Sequence, residues 1–228
     1  MMRIVSVNIE GSRHLDRVSE LLDELDPDVV CMMELFERDR SILTERFEHT
    51  LFATGVLQAQ DDHPIGGVGL GFASKEPFEP FSFKYSGPDA PGEYVKFDES
   101  VQQHWLIGGV VRGVAIATTH MMVTRDATIV AQQFVDCERI IRFLERYERV
   151  VFCGDLNTHR GGIIFERFAS AFTDTIPAEV TTTLDQTLHR SAPIHLVVDG
   201  AFTRGIEART TLRFGVSDHA ALVIETSE

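Results

Sequence analysis

The residues Val150-Val151-Phe152-Cys153-Gly154-Asp155-Leu156-Asn157-Thr158 bring a carboxylate and an amide to the end of an apolar run. Such a run reads as a buried strand, and α/β proteins place their chemistry at the C-terminal ends of strands. Asp155 and Asn157 are two positions apart and would share a face on a continuing strand, while Gly154 lets the chain turn or a ligand come close. A carboxylate beside an amide suits a phosphoester: the amide holds an oxygen while the carboxylate binds a cation or orients a nucleophile. Asp and Asn next to Gly also build ordinary turns, so this stretch alone leaves both readings open.

The same placement recurs along the chain. Ile4-Val5-Ser6-Val7-Asn8-Ile9 alternates as a strand, and Asn8, a poor strand former, stands near its end as a turn residue or as a side chain aimed at a site. Asp28-Val29-Val30-Cys31-Met32-Met33-Glu34 is an apolar run closed by a carboxylate, although Glu34 is equally suited to open a helix. A hairpin over residues 106–111 and 114–119, turned by Arg112-Gly113, delivers His120 to its end, where a lone histidine can also be structural. Residues 194–202 read as a strand with Asp199 in its middle, and a buried carboxylate needs a partner. Ser217-Asp218-His219 forms a loop ahead of a last apolar strand, either a capped turn or an acid–base pair.

The elements that must position these residues follow from periodicity. Leu15, Val18, Leu21, Leu22 and Leu25 have helical spacing, ended by Asp26-Pro27. Residues 127–147 form a long amphipathic helix and residues 163–172 a shorter one, with a loop at Thr181-Thr182-Thr183 and Asp185. The run of glycines over residues 66–75 reads as a buried strand approached closely by another backbone; no helix follows, so it is not a dinucleotide fingerprint. Residues 76–103, with Pro77, Pro80, Pro88 and Pro91, read as an irregular surface that shapes substrate choice.

Composition sets outer bounds. At 228 residues with 16 Phe and no linker-like stretch, the chain is expected to be one domain. Its 21 Lys and Arg against 35 Asp and Glu give a net charge of −14, which opposes long-range attraction to a nucleic acid and suits recruitment of divalent cations. The densest Arg grouping, Arg204, Arg209 and Arg213, is interleaved with Glu207 and could hold one or two phosphates but hardly a long duplex. Cys31, Cys137 and Cys153 are odd in number and widely spaced, so reduced core residues and a cytoplasmic compartment are expected. The N-terminus starts at once on a strand pattern, which predicts neither signal peptide nor membrane span.

Taken in order, Val7-Asn8-Ile9, Met33-Glu34, Thr119-His120, Gly154-Asp155-Leu156-Asn157 and Ser217-Asp218-His219 resemble the motifs of the endonuclease/exonuclease/phosphatase superfamily over residues 3–226. The resemblance implies an α+β fold, a four-layered α/β sandwich of two mixed β-sheets packed face to face with helices outside, as a single domain over residues 1–228. It implies a Mg²⁺-dependent phosphoester hydrolase, Mn²⁺ being the alternative ion, with Glu34 as principal metal ligand aided by Asn8 and Asp218. By the same resemblance His219 is the catalytic histidine, Asp155 aligns or deprotonates the attacking water, and Asn157 and His120 hold phosphate oxygens. The family's histidine partner is an Asp opening an Asp-aromatic-Ile-Phe strand; Val198-Asp199-Gly200-Ala201-Phe202 fits that slot, with Gly200 replacing the bulky residue. A shift of four would put His195 there, which cannot act as an anionic orienter, and Phe202 favours Asp199. The Tyr-containing motifs of abasic-site endonucleases are not evident around residues 119–124, which weakens a DNA-repair reading. A hydrolase of small or accessible phosphodiesters or phosphomonoesters therefore leads, a DNA or RNA nuclease is the alternative, and a catalytically silent binding module is third.

Overall fold

Alternation decides the first strand. In a computed structural model, which describes residues 1–124, 128–191 and 193–227, β1 (Met2–Asn8) divides Met2 and Ile4 from Val5 and Val7 between two packed faces. Both faces are apolar because both are covered. Met2 and Ile4 join a core shared with a second sheet, and Val5 and Val7 pack against Val18, Leu21 and Leu22 of α1 (Leu15–Leu25). Asp26 caps α1 in left-handed backbone, Pro27 prevents its continuation, and the chain returns as β2 (Val29–Phe36), parallel to β1.

A short helix, α2 (Ser41–Thr44), leads to a hairpin of β3 (His49–Gln60) and β4 (His63–Ser74). The glycine-rich run lies in β4, and the close backbone approach predicted for it is present: a Cβ on Gly69 would lie 1.8 Å from the Ala53 carbonyl oxygen of β3. β3 itself is an edge strand with mostly half-buried residues, and no clean alternation in its sequence marks it.

The expectation of an irregular segment over residues 76–103 is corrected by β5 (Glu79–Ser86), which pairs with β6 (His104–Val111). Pro80 within it and Pro77 just ahead of it disguise β5, yet it is an edge strand, where Pro80 is tolerated, and Phe81, Phe83 and Tyr85 alternate along it. β6 turns through Arg112 and Gly113, both at positive φ, into β7 (Val114–His120). α3 (Ala131–Leu144) is shorter than the predicted 127–147: Val130 is extended, the helix is over by Glu145, and Ala127 lies outside the described residues. α3 carries the chain back to β8 (Val150–Asp155), parallel to β7.

The last part comprises α4 (Ile163–Ala171), β9 (Thr173–Asp174), β10 (Asp199–Arg204), β11 (Ala208–Arg213) and β12 (Ala221–Thr226). The strand expected over residues 194–202 opens only at Asp199. Upstream, the carbonyls of Leu196, Val197 and Val198 accept from Thr183, Arg160 and Leu156 in loops, which removes them from a ladder.

Two mixed six-stranded sheets result, ordered β11-β12-β1-β2-β4-β3 and β5-β6-β7-β8-β10-β9. They form an α/β sandwich. Ile4, Cys31, Met33 and Phe72 of the first sheet join Leu106 and Cys153 of the second in one core, while Phe152 packs against Phe168 of α4 at a centroid distance of 5.2 Å. The three cysteines are free and buried, and burial pushes the Cys137 thiol up to about 12. Among the described residues no helix is long and apolar enough to cross a membrane.

Candidate active site

Strand register alone brings three of the predicted residues side by side. Asp155 ends β8, where its partner in parallel β7 is His120 and its partner in antiparallel β10 is Asp199. Gly154 makes this packing feasible: at φ 140° its Hα side faces the Thr119 carbonyl oxygen, which a Cβ would approach to 2.1 Å. From the other sheet, Asn8 ends β1 beside Met33 of β2, and Glu34 follows in left-handed backbone (φ 59°) at a bulge between Met32 and Leu35. A non-glycine residue held there costs about 1–3 kcal/mol, and here the distortion turns the Glu34 carboxylate toward Asn8.

Asp155 Oδ2 is the centre of the cluster. Asn8 Nδ2 donates to it at 3.1 Å and to Glu34 Oε1 at 3.0 Å, while the Asn8 amide oxygen accepts the Glu10 N–H at 3.0 Å. His120 Nε2 lies 3.5 Å from Asp155 Oδ2 and 3.9 Å from Glu34 Oε1, and His219 Nε2 lies 3.7 Å from the same Asp155 oxygen. On its far side His219 Nδ1 meets Asp199 Oδ2 at 2.8 Å. His195, the other residue considered for that position, is exposed. Burial alone would depress the His219 imidazole, but Asp199 and Asp155 on either side hold it well above its ordinary range.

Asp218 sits on the acidic side of the cluster, accepting from Ser217 Oγ at 3.1 Å. Burial pushes its carboxyl up to about 6; His219 opposes this, and Glu10 and Glu34 reinforce it. One expectation about Asn157 needs correction. The strand ends at Asp155 and Asn157 is left-handed (φ 48°), so the two do not share a strand face. Asn157 closes a turn instead, giving its N–H to Asp155 Oδ1 at 2.9 Å and one Nδ2–H to the Met121 carbonyl at 2.8 Å.

A sequence model of the endonuclease/exonuclease/phosphatase family matches residues 5–219, nearly the whole chain. The chain belongs to this family. No curated protein sequence matches it, but solved structures of the family share its fold. An endonuclease/exonuclease/phosphatase protein from Beutenbergia cavernae superposes with a TM-score of 0.78 at 16% identity, over 99% of this chain and 71% of the other. A mannosyl-6-phosphatase from Bacteroides thetaiotaomicron gives 0.67 at 16% identity, and an AP endonuclease from Archaeoglobus fulgidus 0.65 at 20%, each over the full length of both chains. Structures sharing this fold thus include both a phosphatase and an AP endonuclease.

Within this family member, several residues around the site escape pattern reading. Thr183 Oγ1 accepts the N–H groups of Val198 and Asp199, and its carbonyl accepts from Ala220, so it ties the Asp199 strand to the His219 loop. Asp185 accepts from Thr187, Leu188 and Gly215, which fixes the next turn against the same loop. That turn sets the His189 ring edge-on to His219, with centroids 6.3 Å apart, and pairs Arg190 with Glu10. Glu10 also meets His14 Nε2 at 2.9 Å. The run Thr181-Thr182-Thr183-Leu184-Asp185 was the available signal, since clustered Thr and Asp mark side-chain-organised loops.

The arginine grouping is dispersed in the structure. Arg204 donates to the Leu144 and Tyr147 carbonyls at 2.7 and 2.6 Å and lies over the Phe172 ring, capping the end of α3. Arg213 pairs with Glu24 of α1 at 2.7 Å, and Arg209 is exposed opposite Glu225 in the ladder with β12. The expectation that these three form a phosphate site is therefore withdrawn.

Proposed function

We propose that this protein is a divalent-metal-dependent phosphoester hydrolase that activates water for in-line attack on a small or accessible phosphoester. The observation carrying this reading is the convergence of Asn8, His120 and His219 on one oxygen of Asp155, with Asp199 behind His219. That is a base next to two potential phosphate-binding imidazoles, and it is buried, so the interactions act in low dielectric.

The donor set fits a hard cation. Burial raises the Asp218 carboxyl and the charges of Glu10 and Glu34 add to it, so the three acids are near neighbours, and oxygen ligands of this kind favour Mg²⁺ or Mn²⁺ over zinc. Glu34 and Asp218 would hold the ion. Asn8, whose amide oxygen is engaged by Glu10, is assigned to orient Glu34 and Asp155, and becomes a ligand only if its amide turns over. When bound, the ion supplies charge to offset the negative charge that builds on the phosphoryl oxygens. Asp155, Asp199 and His219 also offer ligand atoms within 4.8 Å of one another, but Nδ1 of His219 is committed to Asp199. We read that trio as a proton-handling unit: Asp155 takes a proton from water, and the charged His219, stabilised by Asp199, faces the oxygens opposite. His120 and the remaining Asn157 N–H hold the phosphoryl group.

Substrate size is inferred from charge. With a net charge of −14, and with Arg204 and Arg213 engaged away from the site and Arg209 alone in solvent, no basic track for a duplex is evident among the described residues. We take the domain as single, and the buried free thiols as fitting a reducing compartment such as the cytoplasm. The test compares p-nitrophenyl phosphate, bis-(p-nitrophenyl) phosphate and plasmid nicking at one Mg²⁺ concentration, with and without excess EDTA. Small esters should turn over and EDTA should abolish turnover. Full activity in EDTA would end the metal-dependent reading; efficient nicking that falls steeply with salt would replace the small ester with a nucleic acid.

A further inference from the structure

We infer that His104 is a positioning residue: with Tyr85 it fixes the His120 backbone, so that the His120 imidazole faces Asp155 and Glu34. The inference rests on the hydrolase reading and deepens it at one residue. His104 opens β6 and is buried, with Nδ1 3.2 Å from the His120 carbonyl oxygen. A carbonyl only accepts, so Nδ1 carries the proton.

Tyr85 is the second contact to that carbonyl, at 3.4 Å, but its hydroxyl also lies 2.8 Å from Thr119 Oγ1. Thr119 spends its own proton on the Trp105 carbonyl at 2.9 Å, which leaves Tyr85 as donor to Thr119 and His104 as the principal donor to His120. The two rings lie nearly parallel, 25° apart with centroids at 6.1 Å. Behind them Asp136 is buried on α3 and accepts from Gln132 at 2.8 Å; burial pushes its carboxyl up, while Gln132 and His104 draw it down.

The opposite side of the segment is held as well. The Met121 N–H donates to the Asp155 carbonyl at 2.9 Å, and the Met121 carbonyl accepts from Asn157. Residues 119–121 are thus gripped between β5 and β6 on one side and the end of β8 on the other. His120 is the last residue of β7, so its carbonyl lies where the ladder gives out and depends on side chains.

The experiment is a double-mutant cycle on kcat and KM for a small phosphoester, using H104A, H104N, H120A and H104A/H120A. Asparagine places an N–H near the position of Nδ1, so it should restore the bond that alanine removes. H104A should lose about 10- to 100-fold in kcat/KM, the usual range for losing the orientation of a functional group, and H104N should recover most of it. If His104 acts through His120, H104A adds nothing in the H120A background. Y85F, which is isosteric and keeps the ring, should lose less than H104A. The His120 ring-proton resonances of the metal-free protein should shift or broaden in H104A and return in H104N, a readout that does not depend on turnover. Losses that add in the double mutant, H104N as impaired as H104A while both remain folded by circular dichroism, or unchanged His120 resonances would each overturn the inference. A wild type inert toward every phosphoester sinks the hydrolase reading, while the resonances still decide the positioning. A fully active H120A overturns the inference and leaves the hydrolase reading standing.

Discussion

Each sheet contains one parallel pair, β1 with β2 and β7 with β8, and in each the connecting chain includes one helix, α1 or α3. Both pairs deliver polar residues from their C-terminal ends, Asn8 and Glu34 from one, His120 and Asp155 from the other. The means differ. His120 and Asp155 are adjacent by ladder register, with Gly154 clearing the space, and neither has positive φ. Glu34 reaches the site only because the ladder is broken at a bulge and its backbone is left-handed. Regular pairing suffices where the partner lies on the neighbouring strand, whereas a side chain that must reach toward the opposite sheet is turned out of the pleat.

The comparison predicts where activity is most sensitive. Both halves converge on Asp155, since Asn8 reaches it from the first sheet and His120 and His219 from the second and its flanking loop. Asp155→Asn and His219→Ala should each lower kcat by about two to four decades with little change in melting temperature, as expected for loss of a base or a charge-stabilising group. Asp199→Asn should resemble His219→Ala, and combining the two should cost little more than either alone. If instead Asp199→Asn keeps full activity, the carboxylate behind His219 is a packing feature and the site's polarity comes from the first sheet.

Stability should be most sensitive in the regular half. A methyl on Gly154 would meet the Thr119 carbonyl oxygen at 2.1 Å, a backbone atom that cannot move without disturbing the β7–β8 ladder. Gly154→Ala should therefore destabilise the fold by about 2–4 kcal/mol, read as a lower urea midpoint. A loss below ~0.5 kcal/mol would mean that the strand end adjusts freely and that register is not what fixes Asp155.

The same contrast explains what the sequence discloses. Asn8, Glu34, His120, Asp155, Asp199 and His219 were legible because each interrupts or closes an apolar run at a strand end, and order along the chain survives where exact geometry is lost. The two-sheet sandwich was legible only through the family resemblance that those residues carry in order, since periodicity marks single strands and helices but not how the sheets pack. β5 was hidden because its proline, Pro80, sits on an edge, a fact of topology that local pattern does not carry. Thr183, His104 and Tyr85 were hidden because their partners lie 15 to 35 residues away, and nothing in composition marks a threonine that accepts two backbone N–H groups. The arginines misled because spacing in sequence placed them together, while the turn between β10 and β11 sends them to α1, to the end of α3 and to solvent.

The smallest effect is the sharpest test of the difference between the halves. At Glu34, alanine and glycine both remove the carboxylate and with it the interaction to Asn8, so their difference isolates the backbone. A left-handed residue with a Cβ costs about 1–2 kcal/mol, which glycine does not incur, against the ~0.5–1 kcal/mol of extra chain entropy that glycine loses on folding. Glu34→Gly should thus be equal to or more stable than Glu34→Ala, by up to about 1 kcal/mol, or roughly 2–4 °C in melting temperature for a chain of this size. At His120 the sign should reverse. Its backbone is that of an ordinary strand, so glycine brings only the entropy loss, and His120→Gly should melt below His120→Ala by a similar amount. Four thermal melts on inactive variants measure both differences without any substrate. Two differences of the same sign would show that Glu34 is not strained in the folded protein, and the mechanical contrast between the bulged and the regular strand end would fall.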